Sequence, residues 1–269
     1  MPAMPKNGVV SVHGDTMHYI CFGSGKRTLV FLPGLGDGLT TVKGMALPMS
    51  VMYHAFTKDF TVYMFSRRNT LPEDYTTRDM AHDLRDAMDA LKIQTADLVG
   101  VSMGGMIAQH FAADFPERVG RLVLVVTCAE LNPTLEGSLR EWLCFAACGD
   151  HAALMESNLR RMYSDAYYRK NKWMIPVISK ATKPKSYARF FIQAQACLSH
   201  DATDQLPRIA APTLVIGGEK DLALGGEPSR FLADAIPNAS LHMYPQWGHA
   251  LYEEAKDFNQ KVLEFLRKK

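Results

Sequence analysis

A serine placed on a tight turn between a strand and a helix is the feature that most constrains how this sequence can fold. The run Gly-Val-Ser-Met-Gly occupies positions 100–104; residues 97–101 are typical of a buried strand, and a helical pattern follows the serine. A side chain two positions before or after the serine would collide with the turn, which explains both glycines. The sequence therefore predicts a strand–turn–helix unit that displays the hydroxyl of Ser102 as a nucleophile.

Short apolar runs alternate with helical patterns over most of the chain. Two such runs flank Gly14-Asp15 and predict an N-terminal hairpin. Strands are predicted at residues 9–13, 16–22, 28–32, 61–65, 97–101, 122–126, 213–216 and 240–244, and helices at 77–91, 104–115 and 253–267. Because alternating strands and helices form parallel β-α-β units, we predict an α/β protein with a doubly wound, mostly parallel sheet.

The alternation is interrupted in the middle of the chain. From about Pro133 to Leu206 no comparable strand occurs, and the pattern is mainly helical. We therefore predict a core domain formed by residues 1–132 and 207–269, and a helical cap, residues 133–206, inserted between two core strands. Residues 134–200 carry ten Lys and Arg against five Asp and Glu. This excess either steers anionic substrates or forms a solvated outer face.

Composition and charge narrow the class of protein. Hydrophobic residues make up 47% and charged residues 22%, and the net charge of +2 favours neither a nucleic acid nor a membrane as partner. No run approaches the roughly 20 apolar residues of a membrane span, and no basic flank followed by an apolar run indicates a secretory leader. Five scattered cysteines do not suggest a disulfide framework, so we expect buried thiols in a cytoplasmic protein.

A serine hydroxyl needs a general base and an acidic residue that orients the base. His249 follows the last predicted strand, and Asp221 follows the strand before it, which gives the order serine, acid, histidine. None of the other eight histidines follows a late core strand. Glu219 and Glu130 are alternative acids, the second because it follows an earlier core strand. The predicted catalytic residues are Ser102, Asp221 and His249.

The oxyanion of an acyl-transfer reaction needs two backbone N–H donors. Met103, directly after the serine, supplies one of them in the predicted turn. The loop after the strand at 28–32 reads Pro-Gly-Leu-Gly-Asp-Gly at positions 33–38, and its glycines allow the main chain to approach a substrate carbonyl. We therefore predict an oxyanion hole formed by the amides of Leu35 and Met103; a plain flexible loop at 33–38 is the alternative.

These residues resemble the α/β-hydrolase superfamily, particularly its small capped esterases, lactonases and cofactor-free haloperoxidase-like members. The similarity is carried by VSMGGMIAQ at 101–109, FPERV at 115–119 and APTLVIGG at 211–218. It implies the α/β-hydrolase fold and a mechanism that needs neither a metal nor an organic cofactor.

Two loops depart from the pattern of that superfamily. Pro-Gly at positions 33–34 stands where members usually carry His-Gly, and SRRNTLP at 66–72 stands where members commonly carry Arg-Gly-x-Gly-x-Ser. Two interpretations of Arg67 and Arg68 follow: they brace the loops, or they contact an anionic substrate. Because the second loop borders the predicted site, the substrate class cannot be transferred directly from the superfamily.

The sequence thus predicts a serine hydrolase that cleaves a carboxylic ester or lactone in a small, largely apolar molecule through an acyl-enzyme. Hydrolysis of a C–C or amide bond and perhydrolysis use the same triad and stay open as alternatives. A receptor that binds a small ligand under its cap and passes a signal to a partner is a third interpretation. The sequence leaves the oligomeric state open.

Overall fold

The protein, seen here in a computed structural model that describes residues 4–268, is built on one eight-stranded sheet. Residues 1–3, part of the N-terminal stretch in which no leader is expected, lie outside the described range. The strands are β1 (Lys6–Val12), β2 (Asp15–Phe22), β3 (Arg27–Leu32), β4 (Phe60–Arg68), β5 (Ala96–Val101), β6 (Val119–Val125), β7 (Thr213–Gly218) and β8 (Ala239–Tyr244).

The strand order across the sheet is β1-β2-β4-β3-β5-β6-β7-β8. The pairs β1–β2 and β2–β4 are antiparallel, and the five remaining pairs are parallel. The N-terminal hairpin and the doubly wound, mostly parallel sheet are therefore confirmed. Parallel strands end at the same edge, which brings the loops after β3, β5, β7 and β8 together.

Helices cover both faces of the sheet. They are α1 (Ala46–Met52), α2 (Thr77–Ala90), α3 (Met103–Asp114), α4 (Pro133–Ala147), α5 (His151–Met162), α6 (Asp165–Asn171), α7 (Ile175–Thr182), α8 (Ala188–Leu198), α9 (Glu227–Ala235), α10 (Leu251–Glu254) and α11 (Phe258–Arg267). Apolar residues of α2, α3 and α9 pack on one face, and those of α1, α10 and α11 pack on the other. All six residues of β5 are buried as a result, as expected for a strand covered on both sides.

The described chain between β6 and β7 forms the helices α4 to α8 and a final 3-10 turn at Thr203–Arg208. Its one β contact is an isolated bridge between Glu130 and Asp201. We call residues 133–206 the insertion. Its assignment as a separate cap domain with these boundaries stays a prediction.

The periphery differs from expectation in three ways. The helix predicted at 253–267 is two helices, because Ala255 is extended (ψ 111°) and Asp257, which accepts a hydrogen bond from the Tyr244 hydroxyl, precedes a new helix. The short helices α1 and α9 have no predicted counterpart. Cys144 and Cys148, expected to be buried, are exposed near the end of α4.

Between residues 4 and 268, no helix is long and apolar enough to cross a membrane.

Candidate active site

Ser102 occupies the turn between β5 and α3 with a φ of 54°, in the left-handed region that residues with a side chain rarely adopt. Its amide donates to the carbonyl oxygen of Val125 in β6 at 2.9 Å. Its carbonyl oxygen accepts from the Thr127 hydroxyl and the Gly105 amide, both at 2.8 Å. The unfavourable backbone angles are therefore held in place by bonds to the neighbouring strand and the new helix.

The glycines around Ser102 have no room for a side chain. A β-carbon on Gly104 would lie 1.9 Å from the Leu32 carbonyl oxygen, and one on Gly100 would lie 2.5 Å from the Gly104 carbonyl oxygen. A β-carbon on Gly105 would come within 2.6 Å of the Thr127 side chain. These contacts give the physical reason why the motif has glycine two positions before and after its serine.

His249 and Asp221 form a buried pair at the same edge of the sheet. The two atoms His249 Nδ1 and Asp221 Oδ2 are 2.7 Å apart, and the side chains are only 5% and 1% exposed. The other carboxylate oxygen, Oδ1, accepts from the amides of Ala223 and Leu224 at 2.9 Å each. The carboxylate is thus fixed by three hydrogen bonds, and the imidazole that donates from Nδ1 keeps Nε2 free as a base.

Close contact between two loops brings this pair together across 28 residues of chain. A β-carbon on Gly218, the last residue of β7, would lie 2.5 Å from the Trp247 carbonyl oxygen. That oxygen also accepts from the Lys220 amide at 3.1 Å. The loop after β7 and the loop after β8 therefore run against each other, and this sets the separation of acid and histidine.

The alternative acids lie elsewhere. The Glu130 side chain is exposed in a different surface depression. Glu219 bonds to the guanidinium of Arg230. Among the hydrogen bonds of residues 4–268, the carboxylate that contacts His249 is that of Asp221.

The predicted oxyanion donors each begin a helical turn next to the nucleophile in sequence or in space. Leu35 and Met103 are the first residues of the 3-10 turn Leu35–Gly38 and of α3. The first N–H groups of a helix have no carbonyl partner within it, so both amides are available to a ligand. Gly34 brings its loop against the nucleophile, since a β-carbon there would lie 3.3 Å from that of Ser102. The side chain of Met103 itself is buried in the core.

Arg67 and Arg68 brace the loops around the site. Arg67 donates from Nη2 to the carbonyl oxygen of Pro33, the first residue of the predicted oxyanion loop, at 2.6 Å. Burial lowers the pKa of the Arg67 guanidinium, and the nearby carboxylate of Asp37 opposes that shift. Arg68 donates from Nε to Asp83 at 2.6 Å. These contacts favour the bracing interpretation over contact with an anionic substrate.

Asp37 joins the oxyanion loop to the insertion, and sequence reasoning missed this role. Its carboxylate is 1% exposed, and Oδ2 accepts from Arg189 Nη2 at 2.8 Å, from Gln193 Nε2 at 3.3 Å and from the Arg67 amide at 3.1 Å. Arg189 and Gln193 belong to α8, about 150 positions away. Asp37 lies in the predicted oxyanion loop, but no pattern in the sequence indicates its partners.

Ser102 and His249 line one cavity of about 390 Å³, with no hydrogen bond between their side chains among those of residues 4–268. Most of its lining is apolar, and the insertion contributes Trp142, Leu154, Asn158, Met162 and Phe190. Tyr252 lines it beside the histidine loop, and burial raises the pKa of its phenol, which stays neutral. No Lys or Arg within residues 4–268 lines the cavity.

The described residues do not form a metal site, since no group of three or more His, Cys, Asp or Glu in residues 4–268 could hold an ion. The arrangement offers a hydroxyl, an imidazole oriented by a carboxylate, and two helix-initial N–H groups.

Comparison with known proteins identifies a family and relatives that the chain resembles. A family model described as alpha/beta hydrolase fold matches residues 27–256. A 2-hydroxy-6-oxononadienedioate/2-hydroxy-6-oxononatrienedioate hydrolase of Burkholderia vietnamiensis is 30% identical, over 94% of this chain and 91% of its own length. A 2-hydroxy-6-oxo-6-phenylhexa-2,4-dienoate hydrolase of Comamonas testosteroni is 30% identical over 70% of this chain and 68% of its own.

The fold is also found among solved structures. An enol-lactonase from Burkholderia xenovorans superimposes with a TM-score of 0.81 at 24% identity, over 97% of this chain and 100% of that one. Together with the sheet topology and the family match over most of the chain, this settles the fold. The protein belongs to the α/β hydrolase family and is a hydrolase.

Proposed function

We propose that this hydrolase cleaves a carboxylic ester or lactone through an acyl-enzyme formed on Ser102. The observation that carries the proposal is convergence: a serine on a strained turn and His249, which is paired with the buried Asp221, line the same apolar cavity. Groups from three separate loops meet there, as nucleophilic catalysis requires of nucleophile, base and orienting acid.

The steps follow from the positions of these groups. Ser102 Oγ attacks the carbonyl carbon while its proton passes to His249 Nε2, and the amides of Leu35 and Met103 donate to the oxyanion. The intermediate collapses, and His249 returns the proton to the leaving oxygen. Water then attacks the acyl-enzyme by the same route, which releases a carboxylic acid and restores the serine. Asp221 holds the imidazole tautomer and stabilises the imidazolium.

The charge of the cavity favours a neutral substrate. The substrate in the name of the Burkholderia vietnamiensis relative is a dioate, which carries two carboxylates. The two arginines nearest the oxyanion loop, Arg67 and Arg189, are both directed to Asp37 and its loop. An anion in a cavity without a free cation would lose hydration without compensation. We therefore infer an uncharged, largely apolar ester or lactone.

We also propose that the insertion, residues 133–206, is a cap that closes the cavity above Ser102. Five of its residues line the cavity, and it is tied to the core near both functional loops. Arg189 and Gln193 reach the oxyanion loop, and the Met162 carbonyl oxygen accepts from the Ala250 amide at 2.7 Å, next to His249. A cap held at these points shapes the acyl pocket, so it decides which substrates enter.

The proposal is tested with a fluorophosphonate probe and a substrate panel. We expect the probe to label folded protein at Ser102, with no labelling of a Ser102→Ala variant. Neutral short-chain esters and lactones should turn over, and anionic oxo-dienoates should not. Labelling at another residue would overturn the triad. Labelling at Ser102 together with preferred C–C cleavage of an anionic substrate would keep the triad but replace the substrate class.

A further inference from the structure

The outer side of the insertion exposes large apolar side chains that nothing in the described chain covers. Trp173 is 72% exposed and Val177 is 67% exposed, and Tyr167 and Ile178 are each 36% exposed. All four lie on α6, α7 or the 3-10 turn Lys172–Met174 that joins them. The other two tryptophans, Trp142 and Trp247, are buried or half-buried, so the exposure of Trp173 is a property of this surface.

Free positive charge surrounds these apolar residues. Six exposed cations lie between positions 165 and 185, against one anion, Asp165: they are Arg169, Lys170, Lys172, Lys180, Lys183 and Lys185. None of the six forms an ion pair within the described residues. The four remaining arginines of the insertion, at positions 140, 160, 161 and 189, are each paired with a carboxylate.

Helical spacing places the two kinds of side chain on one side. Trp173, Val177 and Lys180 recur at intervals of four and three residues, Lys172 is adjacent to Trp173, and all four are exposed. Ser179, on the opposite side, is buried, and Thr182 contacts His151 of α5 at 3.2 Å. We call the six cations and four apolar residues named above, which are all exposed between positions 165 and 185, the docking face.

We propose that the docking face binds the surface of an anionic phospholipid bilayer. An exposed tryptophan flanked by lysines on a helix is the arrangement that enters the lipid headgroup region while its cations contact acidic headgroups. A second copy of this chain is disfavoured as occupant, because two such faces would oppose six cations with six. The net charge of the whole chain is only +2, because the residues outside the insertion are slightly acidic and offset the positive charge of the docking face.

The position of the face links binding to the cavity. The docking face lies partly on α7, which packs against α5. Leu154, Asn158 and Met162, one turn apart on α5, line the cavity. A bilayer on the outer side of α7 is thus separated from the substrate cavity by two packed helices, α7 and α5, so the surface would hold the enzyme where apolar esters concentrate.

Vesicle flotation tests the proposal without any need for turnover, so its failure is separate from a failure of the proposed function. We expect the full chain to float with vesicles containing about 30 mol% anionic phospholipid and not with neutral ones. Binding should weaken at about 0.5 M salt. The double variant Lys172→Glu/Lys180→Glu should reduce the partition coefficient by about fivefold or more per site. Trp173→Ala should reduce it as well.

Two exposed residues of the core serve as matched controls. Lys256→Glu repeats a charge change and Val9→Ala repeats an apolar truncation, and both should leave flotation unchanged. Trp173 emission should shift to the blue with anionic vesicles. The proposal would be overturned by no flotation with anionic vesicles at low salt, by equal flotation of the docking-face and control variants, or by a dimer in solution that Trp173→Ala dissociates. Selective retention of the chain by an acidic protein in place of vesicles would also do so.

Discussion

The floor and the roof of the cavity are held by different interactions. The floor, formed by the loops after β3, β5, β7 and β8, is fixed by backbone hydrogen bonds and by glycines that leave no space for a β-carbon. The roof, formed by the insertion, is tied to the floor mainly by side-chain links, notably Arg189 on Asp37 and Ser164 on Glu254, beside one backbone bond from the Ala250 amide to the Met162 carbonyl oxygen. Backbone constraints tolerate almost no substitution, whereas side-chain links can be rebuilt. We infer that the floor sets the chemistry and the roof selects the substrate.

The sharpest test of the floor is removal of the base. Substitution of His249→Ala should lower kcat/KM on a neutral ester by a factor of about a thousand or more, because the serine proton then has no acceptor. Steady-state kinetics and circular dichroism measure activity and fold together. The exposed His54→Ala variant is the control and should retain full activity. Near-full turnover by a folded His249→Ala variant would mean that another group is the base.

Two glycine-to-alanine substitutions, one in the floor and one in the roof, compare the two regions by their effect on stability. Gly104→Ala should reduce the free energy of unfolding by about 3 kcal/mol or more, since its new β-carbon would meet backbone atoms 1.9 Å away. Gly137→Ala, on α4 of the roof, has no neighbour within 4 Å and should stabilise by up to about 1 kcal/mol through helix propensity. Urea unfolding measures both changes. Equal effects at the two sites would contradict the difference between floor and roof.

Removal of the side-chain link between roof and floor should have an effect of intermediate size on stability and activity. Arg189→Ala leaves the buried carboxylate of Asp37 without its cation, and should cost about 2 kcal/mol of stability and raise KM more than it lowers kcat. The control is Arg140→Ala, because its pair with Glu136 is exposed and contributes little. Thermal unfolding and kinetics measure the two outcomes. A variant at position 189 that behaves like the one at 140 would show that the roof is placed by other contacts.

Low pH should reduce the free energy of unfolding through His200, near the point where the insertion returns to the core. Burial, followed by repulsion from His110, lowers the pKa of His200 to about 3, and its Nδ1 lies 2.9 Å from the Thr77 hydroxyl. The unfolded chain binds the proton near pH 6.5, so this contribution is present above that pH and is lost as pH falls toward 3. Between pH 7.5 and 5 the loss should be about 2 kcal/mol from this residue. His200→Gln should flatten the slope of stability against pH, whereas His54→Gln should leave it unchanged.

The smallest effect concerns selectivity. Asn158 is the residue of the roof that offers the cavity an unbonded polar side chain, since the Trp142 indole donates to Ser157 and the described structure records no bond of the Asn158 carboxamide. Asn158→Leu should reduce by about fivefold the preference for an ester with a carbonyl or hydroxyl in its acyl chain over the matched apolar ester. Competition kinetics with the two esters measure the ratio, and Leu154→Met is the control. An unchanged ratio would exclude the amide from substrate selection.

Local sequence patterns were enough to predict the strands of the sheet and the fold class. Strand runs, helical spacing and the turn at residues 100–104 predicted the strands correctly, because these signals depend on near neighbours in sequence. The same logic failed at Ala255, where an extended residue divides the last helix, and at the thiols of Cys144 and Cys148, which face solvent. Helix ends and exposure depend on what packs against a segment, and periodicity carries little of that information.

The sequence alone was enough to propose Ser102, Asp221 and His249 as catalytic residues, since each follows a recognisable strand and their order is one that strand connections permit. The pairing of Asp221 with His249 depended on how two loops pack at Gly218. The link from Asp37 to Arg189 and the exposure of Trp173 likewise arose only in the folded chain. Sequence patterns encode contacts between near neighbours, whereas side chains 28 or 152 positions apart meet only after the sheet has aligned its loops and the insertion has packed against them.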